Sequence, residues 1–208
     1  MKQNEKTKLT CDKIIQAAIA EFGTKSYESA SLNTICSENQ ISKGLIYHNF
    51  KNKDELYLKC LKICFQRITA YLRSAQYMEE DIRISMKNFL ALRQKFFLEN
   101  PHYSNIFFNA VLQPPKHLMK EIRDIRHEFD DYNASCYQKM LTQIQLREGI
   151  TDEMALEYFT VFQEMFNGYY QSKAYEIGDF HNWVESRETN LSKILDIMLY
   201  GIAKENTL

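Results

Sequence analysis

Apolar residues recur every three or four positions along most of the chain, and this period is typical of amphipathic α-helices. No stretch of useful length alternates apolar and polar residues as a half-buried strand does. Only six glycines and three prolines interrupt the pattern. An unbroken stripe lies near the C-terminus and consists of Leu191, Ile194, Leu195, Met198, Leu199 and Ile202. The pattern therefore predicts an all-α protein built from long helices.

Capping residues divide the pattern into separate helices near the N-terminus. Thr10 and Ser31 are placed to cap the first and second predicted helices, and Ser42 is placed to cap a short third one. Asn52 followed three residues later by Glu55 is a capping-box pattern, so a long fourth helix is expected to begin there.

Prolines and a glycine set the later boundaries. Asn100-Pro101 stops one helix, because the residue before a proline avoids the α region. We expect one long helix over residues 116–147, closed by Gly149, and Thr151 then opens the next helix.

The charge distribution separates the first quarter of the chain from the rest. The 208 residues carry a net charge of −1, but residues 1–53 hold eight lysines against five acidic residues, a net +3. The remaining residues hold 18 basic against 22 acidic side chains, a net −4. A small basic region on a neutral-to-acidic body is expected of a protein with a DNA-reading head.

Targeting and redox signals point to a cytoplasmic protein. No apolar run approaches the roughly 18 residues that span a bilayer, and the N-terminus lacks the apolar segment of a signal peptide. The five cysteines follow no spacing of secreted domains, so reduced thiols are expected. Cys60 and Cys64 stand one helical turn apart, which fits core packing and leaves a thiol sensor or a metal site as the alternative.

Residues between Thr10 and Leu56 match a known pattern in type and in spacing together. They are Thr10, Ile14, Ile15, Ala17, Ala18, Phe22, Tyr27, Ser31, Ile35, Ile41, Ser42, Lys43, Gly44, Ile46, Tyr47, Phe50, Lys53, Glu55 and Leu56. In these residues the chain resembles the TetR family of bacterial transcriptional regulators. The resemblance implies a three-helix helix-turn-helix DNA-binding head at residues 1–52 and a helical regulatory and dimerisation domain at residues 53–208. The chain departs from the pattern at Ser26, where the family has glycine, and at Asn39-Gln40, where it has Ala-Gly.

The resemblance also implies which residues meet operator DNA. Lys43 and Tyr47 take the role of gripping phosphates and the neighbouring groove edges. Ser31, Thr34 and Lys53 take the role of contacting the DNA backbone. Each of these lysines and Tyr47 also has an ordinary interpretation, as a solvated lysine or as a packed tyrosine.

The short third helix carries further candidates. Ser42 caps an N-terminus whose free N–H groups suit a phosphate, and Leu45 suits contact with a thymine methyl group. His48 is open between a phosphate contact and a bystander. Glycine inside a helix costs about 1 kcal/mol relative to alanine, so Gly44 indicates that a side chain there would stand between the helix and the duplex.

Aromatic and methionine residues are frequent in the second part of the chain. Those assigned to an effector pocket are Phe97, Tyr103, Phe107, Phe108, Phe129, Tyr137, Phe162, Met165 and Phe166. For each of them core packing is the alternative, and the resemblance favours a pocket for the set as a whole. Few charges interrupt these segments, which favours an apolar or aromatic effector.

The last two helices are expected to form a homodimer interface. Its residues are Tyr158, Phe162, Leu191, Ile194, Leu195, Met198, Leu199 and Ile202. Two helices from each chain would make a four-helix contact with a two-fold axis that matches a palindromic site.

The hypothesis for function is a ligand-responsive repressor that binds double-stranded operator DNA as a homodimer, without a metal or a cofactor. An activator and a DNA-binding protein that needs no effector remain open as alternatives. An all-α enzyme or adaptor is a distant alternative, because the sequence has no nucleophile-base motif, phosphate-binding glycine loop or zinc signature.

Overall fold

A computed structural model describes residues 3–176 and 178–204, with the side chains of residues 3–7 left aside. Over these residues the fold is all-α, as predicted. Its helices are α1 (Gln3–Phe22), α2 (Leu32–Asn39), α3 (Lys43–Asn49), α4 (Lys53–Ser74), α5 (Ile82–Glu99), α6 (Pro101–Leu112), α7 (Met119–Leu141), α8 (Asp152–Ala174) and α9 (Phe180–Ile202), with a short 3-10 turn at Lys116–Leu118. No helix in this part of the chain is both long and apolar enough to cross a membrane.

Two predicted boundaries were wrong. The first helix begins at Gln3, so Thr10 lies inside it instead of capping it. The seventh ends at Leu141 and does not run to Arg147. The backbone beyond it pairs with the end of α9 instead, where the Arg147 N–H donates to the Ile202 carbonyl at 2.9 Å. The local apolar period cannot indicate a hydrogen-bond partner more than 50 residues away in the sequence.

Contacts divide the chain into two compact units. The first comprises Met1–Arg67 with Phe97–Arg126, and the second comprises Ile68–Phe96 with His127–Leu208. In the first unit α1 packs on α2 and α6, and α2 packs on α3. Ile14, Phe22 and Ile46 are buried there, which supplies the hydrophobic stabilisation of the three-helix head.

Gly23, just after α1, permits the close approach of α6. A Cβ atom at this position would lie 2.5 Å from the Cβ of His102, closer than two carbon atoms can stand. The Asn105 side-chain amide donates to the Gly23 carbonyl at 2.7 Å. The glycine is therefore required by packing inside the first unit.

The second unit contains a buried charge cluster. Arg93 and Arg187 both pair with the carboxylate of Glu188, and the Arg187 guanidinium also donates to the Asn167 side chain at 2.5 Å. Burial lowers the pKa of Arg187 to about 10. Burial alone would raise the pKa of Glu188, but the two arginines hold it below its usual value. The cluster is therefore charged at neutral pH.

Candidate nucleic-acid interface

Side-chain caps set the ends of the helix-turn-helix, as the sequence predicts. The Ser31 hydroxyl accepts from the Asn33 N–H at 3.2 Å at the start of α2. The Ser42 hydroxyl accepts from the Leu45 N–H at 3.2 Å at the start of α3. Both helices are thus positioned by hydrogen bonds that close within three residues.

Gln40 takes the left-handed conformation in the turn between α2 and α3. Its φ of 54° and ψ of 43° end α2, and its N–H donates to the Cys36 carbonyl. Asn39 instead keeps its place in the helix and donates its side-chain amide to the Ile35 carbonyl at 3.1 Å. The strain therefore falls on Gln40, at a cost of roughly 1–2 kcal/mol.

One face of α3 is open to solvent, and the other is buried. Ile46 is 1% exposed, whereas Leu45 is 37% and Tyr47 is 50% exposed. Ser42, Lys43, Gly44 and His48 are also exposed. The structure thus brings most of the predicted DNA-contacting residues onto one accessible surface, which we call the α3 face.

Gly44 is the second residue of α3 and lies in its first turn. A Cβ atom built on it would meet nothing within 4 Å. The fold therefore has no use for a glycine here. This contrasts with Gly23 and is consistent with an external reason for the missing side chain.

Ser31, which precedes α2, and Thr34 within α2 are half-buried. The Ser31 hydroxyl caps α2, and the Ser31 backbone N–H donates to the carboxylate of Glu21 at 2.9 Å. Glu21 is itself paired with Lys25 at 2.8 Å. The start of α2 is thus held firmly against the end of α1.

Lys53 has a different environment from the one the resemblance implies. Its ammonium donates to the carbonyls of Tyr27 at 2.8 Å and Ala30 at 3.3 Å. It also lies 4.2 Å from the centroid of the Tyr27 ring. Its main contacts are inside the head, because the connector between α1 and α2 brings two backbone acceptors to the first residue of α4.

Asp54 and His117 belong to a polar cluster beside Lys53 that the sequence interpretation missed. The Tyr27 hydroxyl donates to the Asp54 carboxylate, and His117 Nε2 lies 3.3 Å from the same oxygen. The hydrogen bond from Tyr27 is the main cause that lowers the pKa of Asp54, with His117 contributing further. The partners are 27 and 63 residues from Asp54, so local spacing carried no signal.

The residues assigned to an effector pocket are divided between the two units. Phe97, Phe107 and Phe108 make a mutual ring cluster with centroids 4.9–5.1 Å apart in the first unit, where Tyr103 is also buried. Phe129, Tyr137, Phe162, Met165 and Phe166 belong to the second unit. Tyr137 stacks on Phe159 at 4.1 Å, and Phe162 lies 5.6 Å from Phe166.

The predicted dimer stripe faces largely inward. Four of its residues are less than 10% exposed within a single chain, namely Leu191, Leu195, Leu199 and Ile202. They pack in the protomer's own core and have almost no surface left for a partner. Ile194 and Met198 are half-buried, and Phe162 is half-buried on α8.

A different set of apolar side chains is exposed on α8 and α9. It consists of Tyr158, Val161, Met165, Tyr169, Ile197 and Tyr200, each at least 43% exposed, and we call it the α8–α9 face. Tyr158 was predicted as an interface residue, and Met165, which was also predicted to line a pocket, is 69% exposed. The period of both helices was read correctly, but it did not tell which apolar side faces the core.

Cys60 and Cys64 are fully buried, which supports their interpretation as core residues. Burial raises the pKa of the Cys60 thiol to about 12 and raises that of Cys64 as well. Neutral buried thiols react poorly with oxidants. Within the described ranges no three His, Cys, Asp or Glu side chains are grouped to hold a metal ion.

Sequence comparisons connect the N-terminal part of the chain with known regulators. A family model described as bacterial regulatory proteins, tetR family, matches residues 14–60. IcaR of Staphylococcus epidermidis, the negative transcriptional regulator of the biofilm operon icaADBC, is 25% identical over 130 residues, covering 62% of this chain and 66% of that protein. The TetC protein of transposon Tn10 from Escherichia coli is 34% identical over 70 residues, covering 34% and 36%. The chain thus matches less than two thirds of the length of these relatives.

Solved structures share the fold along nearly the whole chain. FadR of Bacillus subtilis, in complex with stearoyl-CoA, aligns with a TM-score of 0.64 at 14% identity over 91% of this chain and 98% of its own. A TetR-family regulator from Agrobacterium tumefaciens aligns with a TM-score of 0.63 at 17% identity over 95% and 100%. The family model and the shared fold thus agree on the same N-terminal helices: residues 14–60 match the bacterial regulatory proteins of the tetR family, and the chain shares the fold of solved TetR-family regulators.

Proposed function

We propose that this chain is a transcriptional repressor that binds a palindromic operator as a homodimer and is released by a small effector. TetR-family regulators are DNA-binding proteins and not enzymes. IcaR is a negative regulator, and SmeT, which shares the fold at a TM-score of 0.58, is the repressor of a multidrug efflux pump in Stenotrophomonas maltophilia. These similarities favour repression over activation.

The α3 face is the observation that carries the DNA-binding part. Ile46 anchors the helix in the head, while Lys43 and Tyr47 point to solvent and Gly44 leaves the backbone open. A short helix exposed in this way can lie in a major groove, with Lys43 and Tyr47 on phosphates and Leu45 on a thymine methyl group. Ser42 and His48 border the same surface. Lys53 contributes by fixing the head rather than by direct contact.

The α8–α9 face supports the homodimer. Tyr158, Val161, Met165 and Tyr169 are spaced three and four residues apart, so they lie along one side of α8. Gly168 is exposed on the same helix, and a Cβ there would meet nothing within 4 Å, which leaves room for a second helix to approach. A two-fold contact through this face would present two α3 helices to two half-sites of a palindrome.

The effector acts in this proposal by a population shift. It binds one conformation of the regulatory part better, and that conformation holds the two heads at a separation that does not fit successive major grooves. FadR of Bacillus subtilis was solved with stearoyl-CoA, so a small ligand in a protein of this fold has a precedent. No reaction on the ligand is required.

Selection of DNA by the purified protein tests the proposal without knowledge of the target gene. Duplexes with a randomised centre are bound, recovered and sequenced over several rounds. We expect an inverted repeat whose half-sites are centred about 10 base pairs, or a multiple of that, apart. Lys43→Gln should bind the selected repeat more weakly than the wild type does, whereas Lys193→Gln, with the same charge change on α9, should bind it equally well. Enrichment of no sequence by the folded wild type would overturn the proposal, and a reporter gene behind the repeat then shows the sign of regulation.

A further inference from the structure

A groove of about 820 Å³ opens in the second unit at the end of α4. Its lining residues come from the last turn of α4, the segment that follows it, and one side of α7. They are Arg73, Ala75, Gln76, Tyr77, Met78, Tyr132, Ser135 and Lys139. The volume lies within the range of small-molecule sites, which is about 300–1,000 Å³.

We infer that this groove binds a small organic anion, and that this anion is the effector of the proposed repressor. The effector role rests on the proposed function, whereas the anion site does not. The arrangement of charge, hydrogen-bond donors and apolar surface in the groove supports both.

The charges of the groove are all positive. Arg73 and Lys139 are its charged residues, and none of the eight lining residues is acidic. Lys139 has no ion pair within the described part of the chain. Arg73 lies 3.3 Å from Glu128, but both side chains are more than half exposed, and such a pair contributes only about 0–1 kcal/mol. A carboxylate, sulfonate or phosphate can therefore take the place of Glu128 at low cost.

α7 aligns the donors along one side. Tyr132, Ser135 and Lys139 are three and four residues apart, so they follow each other along the same helical face. The Arg73 guanidinium lies 5.3 Å from the centroid of the Tyr132 ring, and this contact holds the cation above an aromatic surface. The arginine and the lysine thus both offer a positive charge to the anionic group of a ligand in the groove.

Two phenols and a thiol lie beside these cations. Tyr77 and Tyr132 line the groove, and Cys136, next to Ser135 on α7, is 1% exposed. Burial is the main cause that raises the pKa of both phenols, so they are neutral hydrogen-bonding groups at physiological pH. They add polarity to the groove without adding negative charge that would repel an anion.

The remaining surface accommodates an apolar part of the ligand. Met78 is 43% exposed at the groove, and the Tyr132 ring offers an aromatic face. The groove thus fits a molecule with an anionic group attached to an aromatic or aliphatic body. The sequence favours an apolar or aromatic effector, and the groove adds an anionic group to that expectation.

A matched pair of fluorescent probes tests the inference. 1-Anilinonaphthalene-8-sulfonate carries a sulfonate, and N-phenyl-1-naphthylamine has the same ring skeleton without the charge. In the double variant Arg73→Gln with Lys139→Gln the Kd of the sulfonate should rise by about tenfold or more, because two charge-assisted contacts are lost. The Kd of the neutral probe should stay within about twofold. Both substituted residues are exposed, and circular dichroism checks that the double variant is folded.

The control pair Lys87→Gln with Lys193→Gln removes the same net charge from exposed positions outside the groove. It should leave the affinity for the sulfonate unchanged. An equal loss in the control pair, an equal loss for the neutral probe, or no loss in the groove variant would overturn the anion site.

Gel shifts with the selected duplex separate this outcome from the proposed function. Saturating sulfonate should raise the Kd for DNA of the wild type by about fivefold or more, and should do so no longer in the groove variant. An unchanged DNA affinity would overturn the effector role while the anion site stands. A protein that binds the sulfonate through Arg73 and Lys139 but selects no DNA would overturn the repressor and leave the site.

Discussion

The Lys53 ammonium lies 2.8 Å from the Tyr27 carbonyl oxygen and 4.2 Å from the centroid of the same residue's ring. One side chain thereby fastens the start of α4 to the connector between α1 and α2. A lysine used in this way stabilises the head that presents α3 and has few donors left for a phosphate.

Lys53→Gln should therefore lower the free energy of unfolding by about 1–3 kcal/mol, since buried carbonyls lose a charged donor. Lys43→Gln is the matched variant on the α3 face and should leave stability unchanged while weakening DNA binding. It should also reduce the slope of log K against log salt by about one. Urea denaturation and salt-dependent DNA titrations measure the two effects. If Lys53→Gln instead weakened DNA binding and left the stability unchanged, Lys53 would be a DNA-contacting residue.

Gly44→Ala and Gly23→Ala should have opposite effects. Alanine at Gly44 meets open space, so stability should stay the same or rise by up to about 1 kcal/mol, while DNA affinity falls. Alanine at Gly23 overlaps the Cβ of His102 and should cost about 1–3 kcal/mol or more. Thermal unfolding and DNA titration of both variants check this. If Gly44→Ala bound DNA with full affinity, a side chain at this position would not obstruct the approach of α3 to the duplex.

Gln40→Gly should stabilise the protein by about 1 kcal/mol, because glycine reaches the left-handed region without steric cost. Gln40→Ala keeps the Cβ atom and should bring no gain. Chemical denaturation of the two variants gives the difference. Equal stabilities would show that the turn adapts to the side chain.

If the proposed dimer forms through the α8–α9 face, Met165→Glu combined with Ile197→Glu should give folded monomers that bind the operator weakly. Both side chains are more than 60% exposed in the single chain, so the protomer tolerates the charges. Leu98→Glu, at an 82% exposed position on α5, is the control and should remain dimeric. Sedimentation measures the assembly. Leu195→Glu, by contrast, should unfold the protomer, because Leu195 is only 4% exposed.

The Asp54 cluster predicts an acid-sensitive part of the stability. The pKa of Asp54 lies below its unfolded value, chiefly because Tyr27 donates to it and further because of His117. The stabilisation is thus fully present above about pH 4 and is lost as the pH falls through the folded-state pKa. Asp54→Asn should flatten the stability curve between about pH 5 and pH 2, whereas Asp124→Asn, at an exposed site on α7, should not. Urea unfolding at stepped pH values measures both.

The elements that could be predicted from sequence are those set by nearby residues. Ser31, Ser42 and Thr151 cap helices through bonds to an N–H two or three residues ahead, and Asn52 accepts from Glu55 in the same way. The apolar period identifies a helix from its own residues. The head resembles its family because these short-range signals recur together within 56 residues.

The tertiary structure decided which side of each helix is buried and which long side chains form hydrogen bonds within the protein. The α9 stripe and the α8–α9 face both follow a helical period, and only packing against the rest of the protomer shows that Leu191 and Leu195 are core while Ile197 is exposed. Lys53 finds its carbonyls 23 and 26 residues away, and the end of α7 is set by the end of α9. Hydrogen bonds between residues within one helical turn can be predicted from the sequence, because their partners are adjacent in it. Contacts between distant segments form only when the chain has folded.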